Sequence, residues 1–327
     1  ACIARRRVAR PAERRTQMKI IHFNEQMPPQ TRPAMATIGF FDGVHTGHRF
    51  LIDELARQAH AEKMDAMVVT FDRHPREVLH SDYQPHLLSS LDEKLEMMAC
   101  AEADTCAVLA FTPEMAARSA FDFMRTVLRD KLCVQRLFIG YDNRFGHNRS
   151  EGFADYLAYG RRLHIDVKES TAFTLGDIRV SSSAIRSLLN EGDVITSNRC
   201  LGYAYTLSGT VVGGFREGRK IGFPTANLHP FDARKLIPHD GVYAVEVTVE
   251  GFDRAMPAMM NIGRRPTYGS FDRSLEVHIL DFHADIYDRK MSVAFVQRLR
   301  DEQTFADPAA LAAQLARDEA ATRALLT

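Results

Sequence analysis

The chain has 327 residues, 45% hydrophobic and 26% charged, with 42 basic residues against 42 acidic ones. That length suits two ordinary domains and that composition a globular fold. A net charge of zero removes the global electrostatic case for nucleic acid, and no stretch approaches the roughly 18 apolar residues that cross a bilayer.

Residues 1–17 hold six arginines and one acid, which leaves +5 there and −5 elsewhere. They are expected to be a disordered basic extension, with a targeting or membrane-surface segment as the alternative. The apolar core and cleavage site of a secretory signal are missing, so a cytoplasmic chain without a membrane partner is expected, as a monomer or weak homo-oligomer. Five cysteines, odd in number and without a C-x-x-C pair, indicate neither a zinc site nor a disulfide framework. Buried reduced thiols are expected.

From about residue 35, short apolar runs alternate with helical periodicity. Residues 36–40, 66–71, 105–109 and 134–139 read as buried strands, and about 47–62, 91–102, 113–131 and 151–163 as helices. Alternation of this kind predicts a Rossmann-like parallel sheet covered on both faces, with ligands at the strand C-termini. After about residue 190 the rhythm changes. Segments 203–212, 241–249, 257–262, 275–280 and 291–299 are strand-like with glycine and proline between them, which predicts an antiparallel β-barrel closed by a helix from about Pro308. The expected domains are 18–187 and 188–327.

The segment Gly39-Phe40-Phe41-Asp42-Gly43-Val44-His45-Thr46-Gly47-His48 lies where a buried strand turns into a helix. Glycine between the histidines admits a phosphate close to the backbone, and the helix N-terminus attracts it. His45 and His48 can then donate to phosphate oxygens and stabilise a leaving pyrophosphate; either histidine alone reads as part of a solvated turn. Further on, Ser181 to Ser183 can cap a helix running to Leu189, and Arg186 can fork onto phosphates. The bland alternative is a plain cap with a surface arginine.

Gly39 to His48 resembles the H-x-G-H nucleotidyltransferases and, within them, the bacterial riboflavin kinase/FAD synthetase family with its G-x-F-D-G-V-H-x-G-H block. Thr70-Phe71-Asp72-Arg73-His74-Pro75, Gly140-Tyr141-Asp142-Asn143-Arg144-Phe145-Gly146 and Val180-Ser181-Ser182-Ser183-Ala184-Ile185-Arg186 are similar to three more family blocks. The resemblance implies an FMN adenylyltransferase domain. It implies that Gly39, Phe40, Ser182, Ser183 and Arg186 bind the nucleotide, that His45 and His48 are catalytic, and that His74, Asp142 and Asn143 lie on the flavin side. Arg73 stands where the family usually has proline, Asn143 where it has phenylalanine and Ser183 where it has threonine; the last keeps its hydroxyl.

In the second half, Gly213 and Gly218 have Walker spacing, but Arg219 occupies the lysine position, no Ser/Thr follows, and no helix is predicted next. A glycine-rich loop running through Gly222 to Thr225 and Asn227 can still wrap phosphates, with hard oxygen donors for Mg²⁺ or Mn²⁺. A long barrel loop whose glycines serve turns is the alternative. In Leu275-Glu276-Val277-His278-Ile279 the apolar residues alternate to one face and leave Glu276 on the other. There it can face water, or it can take a proton during phosphoryl transfer. The stretch Gly218 to Asn227, together with Gly241-Val242-Tyr243-Ala244, 261–267 and 275–282, is similar to the riboflavin kinase blocks of the same family. This implies Glu276 as catalytic base, nucleotide contacts from Gly213, Gly218, Arg219 and Gly222, and Mg²⁺ held at Thr225 and Asn227.

The expected activity is therefore two-step FAD synthesis from riboflavin, FMN and ATP. One alternative is a related adenylyl- or cytidylyltransferase with a merely binding C-terminal half, which leaves the kinase blocks unexplained. Another is a catalytically silent flavin sensor, which predicts riboflavin binding without ATP turnover.

Overall fold

The structure, a computed structural model, describes residues 18–79, 86–140, 143–147, 151–213, 217–264 and 273–326; residues 1–17 lie outside it. Two compact units divide the chain, Ala1–Ser182 and Ser183–Thr327.

The first unit runs β1 (Lys19–Phe23), β2 (Ala34–Ile38), α1 (Thr46–Ala61), β3 (Asp65–Phe71), α2 (Pro75–Leu79), α3 (Leu91–Ala99), β4 (Thr105–Leu109), α4 (Pro113–Ala116), α5 (Ala120–Phe123), β5 (Val134–Ile139), α6 (Phe153–Leu163) and β6 (Asp166–Glu169). A hairpin of β7 (Thr174–Leu175) and β8 (Ile178–Arg179) follows. Six strands form a parallel sheet in the order β1-β4-β3-β2-β5-β6. Every residue of β2 and β4 is buried, as strands covered on both faces require. Alternate side chains serve two cores: Ala34, Ala36 and Ile38 belong to one, and Met35, Ala66 and Val68 to the other, which packs α1 and α3.

The single helix expected over 113–131 is instead broken. Thr112 caps α4 and Ser119 caps α5 by accepting the Met115 and Asp122 amides, and a π-helical stretch, Met124–Arg129, follows. Two capping residues inside an apolar period restart the helix where periodicity alone sees continuity. The thiols also differ from expectation, since Cys106 and Cys200 are buried whereas Cys100 is exposed.

In the second unit, α7 (Ser182–Glu191), which begins at the division, and α8 (Val194–Leu201) lead into β9 (Thr206–Val212), α9 (Glu217–Lys220), β10 (Ala226–Pro230), β11 (Gly241–Val249), β12 (Met256–Arg264), β13 (Arg273–Ile279), β14 (Lys290–Arg300) and α10 (Pro308–Leu326). The strands close an antiparallel barrel in the order β10-β13-β12-β11-β14-β9. The two units divide at 182/183, near the start of α7, whose C-terminal end is bonded within the second unit, the Leu189 carbonyl accepting the His239 amide at 2.9 Å.

α10 packs against β11 and β12 and is tied by one buried ion pair. Arg300 Nη2 lies 2.8 Å from Asp318 Oδ2, and the two side chains are 14% and 5% exposed. Asp318→Ala leaves the guanidinium without its carboxylate and is expected to cost about 3–5 kcal/mol. Urea unfolding checks this, and the Arg300→Leu/Asp318→Leu double variant is expected to recover most of the loss.

Candidate active sites

In the first unit the winding reverses beside β2, with β3 on one side and β5 on the other. Such a reversal leaves a crevice at the strand C-termini. Phe41 and Val44 take positive φ (55° and 36°) around Gly43, and the buried Asp42 holds this turn in place. Its carboxylate accepts the Leu88 and Ser89 amides at 3.0 Å, and Gly43 N donates to Ser89 Oγ at 2.9 Å.

His45 then caps α1, its Nδ1 accepting the His48 amide at 3.2 Å. When the ring is neutral, an accepting Nδ1 assigns the proton to Nε2. The His48 ring stacks on His45 with centroids 3.5 Å apart and planes 16° from parallel. Gly47 leaves room for His45, since a Cβ there would stand 3.3 Å from its ring atoms. Burial, with smaller contributions from His45 and Lys94, holds the His48 imidazole well below the ordinary histidine value, so it is neutral at pH 7. Its Nδ1 is sealed from solvent and finds no hydrogen-bond partner among the described residues.

The same rim gathers other expected residues. Gly39 N donates to Val69 O at 3.0 Å, and the Phe40 ring meets His74 edge-on with centroids 4.9 Å apart. Asn143 Nδ2 donates to the Ile38 carbonyl at the end of β2, and Ser182 Oγ donates to Asp42 O at 3.1 Å. Asp142 lies outside the described residues. Ser183 and Arg186 sit on α7 in the second unit, Ser183 exposed and Arg186 half-buried. A cavity of about 710 Å³ in the first unit, lined by Pro33, Met64, Val134 and Asp166, opens at the strand N-termini, away from the His45–His48 turn at the C-terminal end of β2.

In the second unit, β13 buries Leu275, Val277 and Ile279 and turns Glu276 and His278 to the other face. Glu276 stands opposite Asn227 on β10 and Asn261 on β12, and Thr225 Oγ1 donates to its Oε2 at 3.3 Å. His278 Nδ1 donates to the Pro224 carbonyl at 2.7 Å, which pins the strand end that carries Thr225.

The loop before β10 folds tightly. Phe223 N donates to Gly218 O at 2.8 Å, and Gly222 has φ +88°. One helical turn, α9, stands inside this loop although no helix is predicted there; a strand then follows, so the arrangement is still not a Walker loop. Arg219 lines a cavity of about 360 Å³ with Pro224, Thr225, Phe282 and Tyr287, while Gly213 faces open space. Residues 214–216 and 265–272 lie outside the described residues.

A Cβ on Gly218 would stand 2.2 Å from the Phe223 carbonyl oxygen, a backbone atom that moves only if the loop does. Gly218→Ala is therefore expected to lower the activity of this site about 100-fold and to leave the first unit's activity unchanged, as a two-product assay reads directly.

The family model described as FAD synthetase matches residues 27–184, and the one described as riboflavin kinase matches 201–326. The chain belongs to the bifunctional riboflavin kinase/FMN adenylyltransferase family. It is 38% identical over 303 residues to the enzyme of that name from Escherichia coli strain K12, covering 93% of this chain and 95% of the relative. The Pseudomonas fluorescens relative is 36% identical, covering 94% and 98%. A crystal structure described as a macrolide-efflux protein from Streptococcus pneumoniae matches with a TM-score of 0.84 and 28% identity, over 94% of this chain and 99% of that one. Among the described residues no helix is long and apolar enough to cross a membrane.

Within this family frame, three residues that sequence reasoning did not assign stand in the sites. Asp42 was read only as part of a motif, yet its carboxylate organises the turn. Asn261 flanks Glu276 because antiparallel partners share a face. Lys94 is 2% exposed; the available signal was a lysine on the stripe Leu91, Leu95, Met98, where helical spacing demands an apolar residue.

Proposed function

We propose that the chain makes FAD in two ATP-dependent steps, phosphorylating riboflavin to FMN in the second unit and adenylylating FMN in the first. One observation carries this reading: each family model falls on the unit with the fitting geometry. Stacked imidazoles at a strand–helix turn lie within 27–184, and a strand-borne carboxylate bonded to a loop threonine lies within 201–326.

In the kinase step Glu276 accepts the proton of the terminal ribityl hydroxyl, and that oxygen attacks the γ-phosphorus of ATP. The bond to the β-phosphate breaks, and ADP leaves with the electron pair. Thr225 and the loop amides offset the charge on the phosphates. The hard oxygen donors of Thr225 and Asn227 suit Mg²⁺, which, if bound there, would neutralise phosphate charge.

In the adenylylation step the FMN phosphate is already an anion and needs no base. Its oxygen attacks the α-phosphorus in line, and pyrophosphate departs. His45, donating from Nε2, and His48 stabilise the charge that builds on the phosphates. Ser182, Ser183 and Arg186 hold the triphosphate, and His74 and Asn143 lie on the flavin side. A cytoplasmic location, as a monomer or weak homo-oligomer, goes with small-molecule substrates.

Chromatography of a mixture of riboflavin, ATP, Mg²⁺ and the protein tests the proposal. FMN followed by FAD is expected. An adenylyltransferase without kinase activity would leave riboflavin untouched, and a silent sensor would consume no ATP; either result would defeat the proposal.

A further inference from the structure

Lys94 is a buried charge that neither step above employs. Its ammonium donates to the Phe40 carbonyl at 3.1 Å, to Thr70 Oγ1 at 3.1 Å and to the Phe71 carbonyl at 2.8 Å. All three ammonium hydrogens are thereby satisfied. The same nitrogen lies 4.2 Å from the centroid of the Phe40 ring, whose edge meets His74. Thr70 Oγ1 closes the network by donating to Phe40 O at 3.1 Å. One side chain thus holds two strand ends together: the end of β2 that enters the His45–His48 turn, and the end of β3 that enters the segment bearing His74.

Stability does not explain a cation at this place. Desolvation pushes the Lys94 ammonium down to about 8, against the pull of Asp42, Cys106 and Asp72, so it remains protonated at pH 7 while burial disfavours the charge. Taking an ammonium out of water carries a desolvation cost that its hydrogen bonds offset only in part. The groups that bear on it are Asp42 and His48 from the turn and α1, Asp72 from beyond β3 and Cys106 from β4.

We propose that Lys94 is a positioning residue for adenylyl transfer, fixing the phosphate-side turn to the flavin-side segment and placing a positive charge beside the strand end that enters the His45–His48 turn. The inference rests on the adenylyltransferase reading of the first unit. A charge of this kind acts most on the transition state, where negative charge on the phosphates is greatest, and a tether of this kind acts on the alignment of two substrates.

Two variants of the full-length protein separate these effects. Lys94→Met is expected to lower kcat for FAD formation from FMN and ATP about 100-fold, with KM for either substrate changed less than about threefold and riboflavin phosphorylation unaltered. Loss of the charge is also expected to raise the His48 titration midpoint, followed by NMR of labelled histidine through the resonance absent from His48→Gln. Thr70→Val keeps the charge and removes one tether. It is expected to lower the same kcat about 3- to 10-fold with the His48 midpoint unmoved, and it keeps the inference testable if Lys94→Met fails to fold.

Wild-type kcat in a folded Lys94→Met, or in Thr70→Val, overturns the inference. So does a Lys94→Met whose rate falls only in proportion to its unfolded fraction while the His48 midpoint stays in place. A wild-type chain that makes FMN but no FAD refutes the adenylyltransferase reading itself, an outcome visible before any variant is made.

Discussion

His48→Ala is expected to lower FAD formation by about 10²- to 10³-fold, the loss typical of removing one donor from a preorganised charge-stabilising site, while FMN formation runs at the wild-type rate. The expectation follows from how the ring is held. His48 stacks on His45 at 3.5 Å, and its amide satisfies His45 Nδ1, so the helix start that carries the pair is already in place before substrate arrives. Separate assays, of FAD from supplied FMN and of FMN from riboflavin, measure both halves in one preparation. Loss of both activities in a folded variant contradicts independent sites.

The depressed His48 imidazole adds a pH signature. Above the ordinary histidine value the ring is neutral in both folded and unfolded chains and contributes nothing to pH dependence. As pH falls below that value, unfolded chains take up a proton that folded His48 refuses, so folding stability declines on the way down to the depressed folded value. His48→Ala is expected to remove this part of the acid destabilisation of the first unit, which a pH series of denaturant midpoints reads.

Much of this was legible beforehand because buried parallel strands announce themselves. β4 and β5 fall on the predicted residues since an uninterrupted apolar run between polar turns has few other solutions. β10 was not legible. Its five residues, Ala226–Pro230, end in proline and include two polar side chains, and only pairing with β9 and β13 makes them a strand. β1 escaped because only one of its five residues, Ile21, is buried, and α8 because eight residues carry too few helical periods to stand out from their surroundings. Among the candidate site residues, His45 and His48 could be named from the strand, turn and helix around them, and Glu276 from the resemblance of its strand to a family block. Asp42 could not, because its role depends on amides 46 residues away, and a contact across that separation leaves no trace in local spacing.

Glu276→Gln is expected to reverse the outcome of the histidine variant, lowering FMN formation by about 10²- to 10⁴-fold while FAD still forms from added FMN. Glutamine keeps the shape of the side chain and can still accept from Thr225 Oγ1, which in the native site donates at 3.3 Å. What it loses is a base able to take the ribityl proton as the oxygen attacks. The strand makes that loss specific. With Leu275 and Val277 buried on the barrel side and neighbours paired in register on β10 and β12, the backbone at Glu276 has no room to relax and compensate. Glu276→Asp tests the same point by geometry, since a carboxylate withdrawn by one methylene stays charged but moves out of place. If Glu276→Asp were as active as wild type, the rigid placement would not matter. If Glu276→Gln phosphorylated riboflavin normally, the proton would be going to some other acceptor, and the carboxylate would be left a structural partner of Thr225.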